Sequence, residues 1–190
     1  MQIENAVARC ECQRRKIIVS KLVEIPERFR EATFANYVPM DAAQEKALAL
    51  MAGEFTGSYF LHGDYARGKT HLATAQYVKL VQIERPCLFL GMAELISELR
   101  RAEMDPDYFC LVRHRIRYAE KFHLFVDDID KFKVTDFKFE VLFDLFDTIY
   151  KRKLGLTVTS NYSLRQLVER ELLHPSIVRR LDDTCKAIEV

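Results

Sequence analysis

Eight residues constrain this chain more than any others. Gly63-Asp64-Tyr65-Ala66-Arg67-Gly68-Lys69-Thr70 reads G-x-x-x-x-G-K-T. Before it, Ser58-Tyr59-Phe60-Leu61-His62 reads as a buried strand. After it, Leu72, Ala75, Tyr77 and Leu80 are spaced for one face of a helix. Strand, glycine loop and helix together are the context in which this motif cradles a polyphosphate. Glycine admits backbone angles that other residues resist and lets the main chain approach an anion. The loop N–H groups and the helix N-terminus then face the phosphates. Lys69 brings a point charge to the outer phosphates, and the Thr70 hydroxyl suits Mg²⁺. The candidate nucleotide-binding residues are therefore Gly63, Asp64, Tyr65, Ala66, Arg67, Gly68, Lys69, Thr70 and His71, with ATP or ADP and Mg²⁺ as the expected ligands.

Around this loop, strands alternate with helices, which predicts a parallel sheet covered on both faces. Asp41 is placed to cap a helix over 42–55. Cys87-Leu88-Phe89-Leu90 reads as a second strand after Arg85-Pro86. Helices are expected over 93–102 and about 107–120. Residues 122–126 read as a third strand, followed by Asp127-Asp128-Ile129-Asp130. The longest amphipathic helix is expected over 137–153, with Val141, Leu142, Leu145, Phe146 and Ile149 facing the sheet and Gly155 stopping it. Leu156-Thr157-Val158-Thr159-Ser160 is a fourth strand. Two short helices, about 164–171 and 175–181, lead to a fifth strand over 185–190. The fold class is α/β, a nucleotide-binding domain with a five-stranded parallel sheet. The expected division is an N-terminal extension over 1–40 and a core domain over 41–190.

Bulk properties exclude several classes. At 190 residues, 49% hydrophobic and 30% charged, the chain suits one globular domain. A net charge of +1 means that any nucleic-acid affinity must come from local patches. No apolar run approaches membrane-spanning length, so no membrane partner is expected. Five scattered cysteines fit a reducing cytoplasm better than a disulfide framework. Cys10 and Cys12 alone are too few for a zinc site, unless they are half of a knuckle completed elsewhere.

In such a sheet, ligands lie beyond the carboxyl ends of the strands. Asp127 is the candidate Mg²⁺ ligand, through water, together with Thr70. Asp128 is the candidate to polarise the attacking water. Asp130 reads as a loop carboxylate, and Thr159 and Ser160 as strand filling and cap. The amide of Asn161 can bond both water and a terminal phosphate oxygen. Arg179 and Arg180 suit either a helix C-terminus or a finger reaching a neighbouring subunit's nucleotide. Arg113, Arg115 and Arg117 form a solvated face or a nucleic-acid contact.

The elements Thr33-Phe34-x-Asn36-Tyr37, Gly68-Lys69-Thr70-His71-Leu72-Ala73, Val126-Asp127-Asp128-Ile129, Thr159-Ser160-Asn161 and Arg180-Leu181 occur in this order. The chain resembles, from about Cys10 to Val190, the AAA+ ATPases of the bacterial replicative helicase loaders (DnaC and DnaI type) and the IstB-type transposition ATPases. The resemblance implies that Lys69 and Thr70 are the Walker A pair, Asp127 and Asp128 Walker B, Asn161 sensor 1, and Arg180 the arginine finger. It implies Mg²⁺-dependent ATP hydrolysis, expected to be slow because Asp128 is one methylene shorter than the glutamate often used there. In a departure from larger AAA+ proteins, no C-terminal helical lid is expected after the fifth strand. The implied partners are a replicative helicase or a transposase, single-stranded DNA through Arg113 and Arg117, and further copies of the chain. The rival expectations are an IstB-type transposition helper, a small-molecule kinase on the same loop, and a nucleotide-gated binding module without useful turnover.

Overall fold

The computed structural model describes residues 25–104, 123–131 and 136–190. Strands β1 (Tyr59–His62), β2 (Cys87–Gly91), β3 (His123–Asp127), β4 (Leu156–Ser160) and β5 (Lys186–Glu189) form a sheet in the order β2-β3-β4-β1-β5. Every pairing in it is parallel. Helices α1 (Ala42–Gly53), α2 (Lys69–Gln82), α3 (Met92–Met104), α4 (Asp136–Arg152), α5 (Leu164–Glu169) and α6 (Pro175–Thr184) complete the described elements, with short 3-10 turns at Glu27–Phe29 and Ile129–Lys131. The expected helix over 107–120, Arg113 and Arg117, and the pair Cys10 and Cys12 lie outside the described residues.

Alternation along each strand splits the core in two, because successive side chains leave opposite faces. Phe60, Leu88, Leu90, Leu124, Val126, Leu156 and Val158 point to one side. There they meet Leu95 and Ile96 of α3, Leu142, Leu145, Phe146 and Ile149 of α4, Leu167 of α5, and Ile177 and Leu181 of α6. Tyr59, Leu61, Cys87, Phe89, Phe125 and Ile188 point to the other. There they meet Ala47 and Met51 of α1, Leu72, Tyr77 and Leu80 of α2, and Ile25 and Tyr37 from the segment before α1. The amphipathic faces expected for α2 and α4 are the buried ones, except that Val141 packs at the edge and is only partly covered.

Local chemistry sets the boundaries. The Asp41 side chain accepts from Gln44 N and caps α1, which ends two residues earlier than expected. Ser163 and Gln166 form a capping box at α5. The stop of α4 differs from the expectation placed on Gly155. Lys153 takes the left-handed position, with φ 52, and Leu154 N donates to Ile149 O. Gly155 serves packing instead: a Cβ there would lie 2.2 Å from His123 Nδ1.

The second core carries a buried polar relay. Gln76 Nε2 donates to Phe55 O (2.9 Å) and Gly57 O (2.8 Å), so its Oε1 is left to accept from Thr157 Oγ1 (2.8 Å). The Thr157 hydroxyl hydrogen is thereby used, and its oxygen accepts from His123 Nε2 (3.0 Å). His123 Nδ1 is then the bare ring nitrogen, and among the described residues it has no hydrogen-bond partner.

Candidate active site

The carboxyl ends of β1, β3 and β4 meet at one edge of the sheet, and the phosphate loop lies across them. Gly63 (φ +145), Ala66 (φ 60) and Gly68 (φ +86) turn the chain through left-handed angles. A Cβ on Gly63 would lie 2.3 Å from Val190 O, and one on Gly68 would lie 2.5 Å from Tyr37 Cε2. Both glycines are therefore required by space as well as by angle. The loop is braced from outside. Tyr37 OH (3.0 Å) and Gln44 Nε2 (2.9 Å) both donate to Arg67 O, and the Arg67 guanidinium pairs with Asp41. The segment before α1 and the α1 N-terminus thus hold the loop in shape.

Lys69 is only 6% exposed. Its Nζ donates to Gly63 O (2.8 Å) and Asp64 O (2.6 Å), so it folds back along its own loop. Burial pushes its pKa down, against the pull of Asp128, Asp130, Asp64 and Asp127. The His71 side chain turns away from the loop. Its Nε2 faces two acceptors, Thr33 O (3.0 Å) and Asn36 Oδ1 (3.1 Å), and therefore carries the hydrogen. What His71 offers at the loop is its backbone N–H in the first turn of α2. Tyr65 is 72% exposed at the loop tip.

Thr70 and Asp127 are joined directly, Oγ1 to Oδ1 at 3.0 Å. Thr159 Oγ1 donates to the same Asp127 oxygen at 2.6 Å and accepts from Asp128 N at 2.8 Å. The reading of Thr159 as strand filling is corrected: it ties β4 to both acidic residues. Burial raises the Asp127 pKa, and the two hydroxyls lower it in part. Asp128 holds a left-handed backbone, with φ 58, and its carboxylate pairs with Lys131.

Asp130 is likewise no open loop carboxylate. It is 6% exposed, and it accepts from Asn161 N (2.8 Å) and Asn161 Nδ2 (2.9 Å). The reading of Ser160 as a cap is corrected: it ends β4, its Oγ accepts from Tyr162 N at 3.0 Å in the turn, and the helix cap is Ser163. The available signal for Asp130 was its position, one short turn past the acidic pair at the strand end next to Asn161.

Arg180 lies apart from this group. Its Nε (2.8 Å) and one terminal nitrogen (2.6 Å) donate to Asp147 Oδ1 on α4, and the other terminal nitrogen donates to Ser176 O (2.9 Å). Its guanidinium stacks over Phe143 at 4.2 Å. Arg179 is exposed beside Asp183.

A cleft of about 950 Å³ opens beside the loop, lined by His62, Gly63, Asp64, Arg67, Asn161 and Arg170 among others. Its volume suits a nucleotide-sized ligand. Among the described residues no cluster of His, Cys, Asp and Glu forms a metal cage by itself. The donors present are all oxygens, Thr70 Oγ1 and the Asp127 carboxylate. That set fits Mg²⁺, which takes few protein ligands and completes its shell with water and substrate phosphates.

Comparison with known proteins bears on the fold and the family. No curated protein matches the sequence. Among solved structures, DnaI superposes with TM-score 0.72 at 20% identity, covering 87% of this chain and 94% of that one. The DnaC helicase loader superposes with TM-score 0.70 at 18% identity, covering 87% and 99%. The replication initiator DnaA bound to AMPPCP and single-stranded DNA gives TM-score 0.71 at 14% identity, covering 87% and 50%. The resemblance to helicase loaders is thus met at the level of the P-loop AAA+ fold. A family model described as AFG1-like ATPase matches residues 8–190, and the chain belongs to that family, the AFG1-like ATPases.

Proposed function

We propose that this AAA+ ATPase hydrolyses Mg²⁺–ATP slowly by itself and faster as an oligomer on single-stranded DNA, where it helps to load a ring helicase. The observation that carries the chemistry is the bonded set Thr70–Asp127–Thr159, which joins the phosphate loop to the ends of β3 and β4. The loop N–H groups and Lys69 bind the phosphates, with Lys69 exchanging the carbonyls of Gly63 and Asp64 for phosphate oxygens. Thr70 and Asp127 would hold the cation, which would neutralise charge building on the outer phosphates. Asp128 turns from Lys131, accepts a proton from water, and directs the water oxygen to the terminal phosphorus. The bond from that phosphorus to the bridging oxygen breaks, and ADP leaves with the electron pair. Asn161 orients the water. Arg180 of a neighbouring copy stabilises the transferring phosphoryl group.

Support for the DNA-linked role is structural kinship: DnaC is a helicase loader, and the matched DnaA structure holds AMPPCP and single-stranded DNA. In this reading residues 41–190 are the catalytic core and 1–40 an extension that packs onto it through Ile25 and Tyr37, Arg113 and Arg117 contact DNA, and the work is cytoplasmic. Among the described residues no helix is long and apolar enough to cross a membrane. The test is the rate of phosphate release against protein concentration, with and without single-stranded DNA, in Mg²⁺ and in EDTA. The expected result is a rate per subunit that rises with concentration and DNA and vanishes in EDTA. A rate independent of both concentration and DNA overturns the assembly and DNA parts. Capture of a transposase, and not of a replicative helicase, moves the role to an IstB-type helper. Phosphate appearing on an added nucleotide or other small acceptor, rather than in solution, makes it a kinase.

A further inference from the structure

Asp130 is a buried carboxylate with a narrow task. Burying an ionised carboxylate is costly unless strong hydrogen bonds compensate it. Here both oxygens are used on one residue: Oδ1 accepts from Asn161 N at 2.8 Å, and Oδ2 accepts from Asn161 Nδ2 at 2.9 Å. Two bonds from one rigid planar group fix the Asn161 side chain more firmly than one would. They also decide which way its amide faces. An ionised carboxylate only accepts, so the amide nitrogen must face Asp130. The amide oxygen is thereby turned to the other side, and it is an acceptor.

We infer that Asp130 is a positioning residue for the hydrolytic step: it locks the Asn161 amide so that its oxygen receives an O–H of the attacking water. The inference rests on the reading of Asn161 given above and narrows it. An acceptor suits a water hydrogen and does not suit a phosphate oxygen. Asp130 lies on the same short turn as the catalytic candidate Asp128, so the turn that supplies the base also aims the group that orients the water.

The test is Asp130→Asn in the full chain, with Asn161→Ala and the double variant beside it. Asn at 130 keeps the shape. Its own NH₂ would oppose the Asn161 NH₂, so the Asn161 amide turns over and presents a donor to water. The expected result is kcat lowered on the order of 10²-fold with KM and ATP affinity within about twofold of the parent. The double variant is expected to be no slower than Asn161→Ala alone, because Asp130 acts only through Asn161. Parental kcat in Asp130→Asn, with Asn161→Ala impaired, overturns the inference and leaves the role of Asn161 standing. Additive losses in the double variant overturn it too, since Asp130 would then act independently. ATP affinity falling in step with kcat, or a lowered melting temperature without bound nucleotide, assigns Asp130 a structural role and also overturns it. Parental kcat in Asn161→Ala removes the underlying reading of Asn161, and this inference falls with it.

Discussion

Asp127 and Asp128 are neighbours in sequence and differ in backbone and in partners. Asp127 is the last residue of β3, half-buried, and receives two hydroxyl hydrogens on one oxygen. Burial raises its pKa, so a bound cation would replace part of the compensation that the hydroxyls now give. Asp128 stands one residue on, past the strand, with a left-handed backbone and a lysine partner. A side chain on such a turn can swing, whereas one fixed in a strand cannot. Asp127→Asn should therefore weaken Mg²⁺-dependent ATP binding, by on the order of tenfold or more, since second partners and ligands are lost together. Asp128→Asn should leave ATP binding within about twofold and reduce turnover by on the order of 10²-fold, the usual contribution of a general base. Titration of fluorescent ATP with and without Mg²⁺, beside single-turnover hydrolysis, separates the two. Equal turnover in both variants and the parent would remove the pair from the mechanism.

At the scale of elements, strands β1 to β4 and the described helices between them are legible because each carries one physical signal. The strands are short apolar runs buried on both faces, and α4 repeats its apolar residues at helical spacing. What the sequence hid were contacts made across strands. Thr159 and Asp130 act on residues roughly thirty positions away, through pairings that no local pattern encodes. Gly155 was read as a helix stop because glycine often is one, whereas its place is set by the His123 ring on the neighbouring strand. That ring gives the β3–β4 pair a pH dependence. Burial, with Arg85 adding like charge, lowers the His123 pKa from 6.5 to about 3. A histidine held neutral in the folded state contributes its full stability above the unfolded pKa. As pH falls below 6.5 the unfolded chain gains a proton that the folded chain refuses, and stability declines toward pH 3. The loss at pH 4 is roughly 3 kcal/mol from this residue. His123→Gln keeps a donor for Thr157 and removes the titration. Urea unfolding from pH 7 to pH 4 should show a shallower decline in the variant than in the parent. Parallel declines would mean that His123 titrates normally in the folded chain.

At the scale of the whole molecule, the phosphate loop and Arg180 sit on different elements, and Arg180 is held by its own chain. Asp147 and Phe143 of α4 fix its guanidinium, and Ser176 O takes a further hydrogen. Lys151 shares Asp147, and the two cations keep that carboxylate's pKa below the usual range, Lys151 first. This anchoring admits two roles. Arg180 is either a brace between α4 and α6 or a finger aimed from a fixed base at a neighbour's nucleotide. A brace acts within its own subunit, and a finger acts across an interface, so mixing separates them. Arg180→Ala keeps Lys69, Thr70 and Asp127 and should bind ATP like the parent. Its turnover should fall steeply, by on the order of 10³-fold if it acts as other arginine fingers do. Lys69→Ala should lose ATP binding but keeps Arg180. Neither variant alone has a complete site. Mixed in equal amounts, they form some interfaces that pair an intact loop with an intact arginine, and a fraction of the parental rate should return. A melting temperature for Arg180→Ala close to the parent's, beside that recovery, fits the finger. A lowered melting temperature with no recovery on mixing, while both variants still associate, makes Arg180 a brace and leaves the exposed Arg179 as the arginine of α6 free to reach a neighbour.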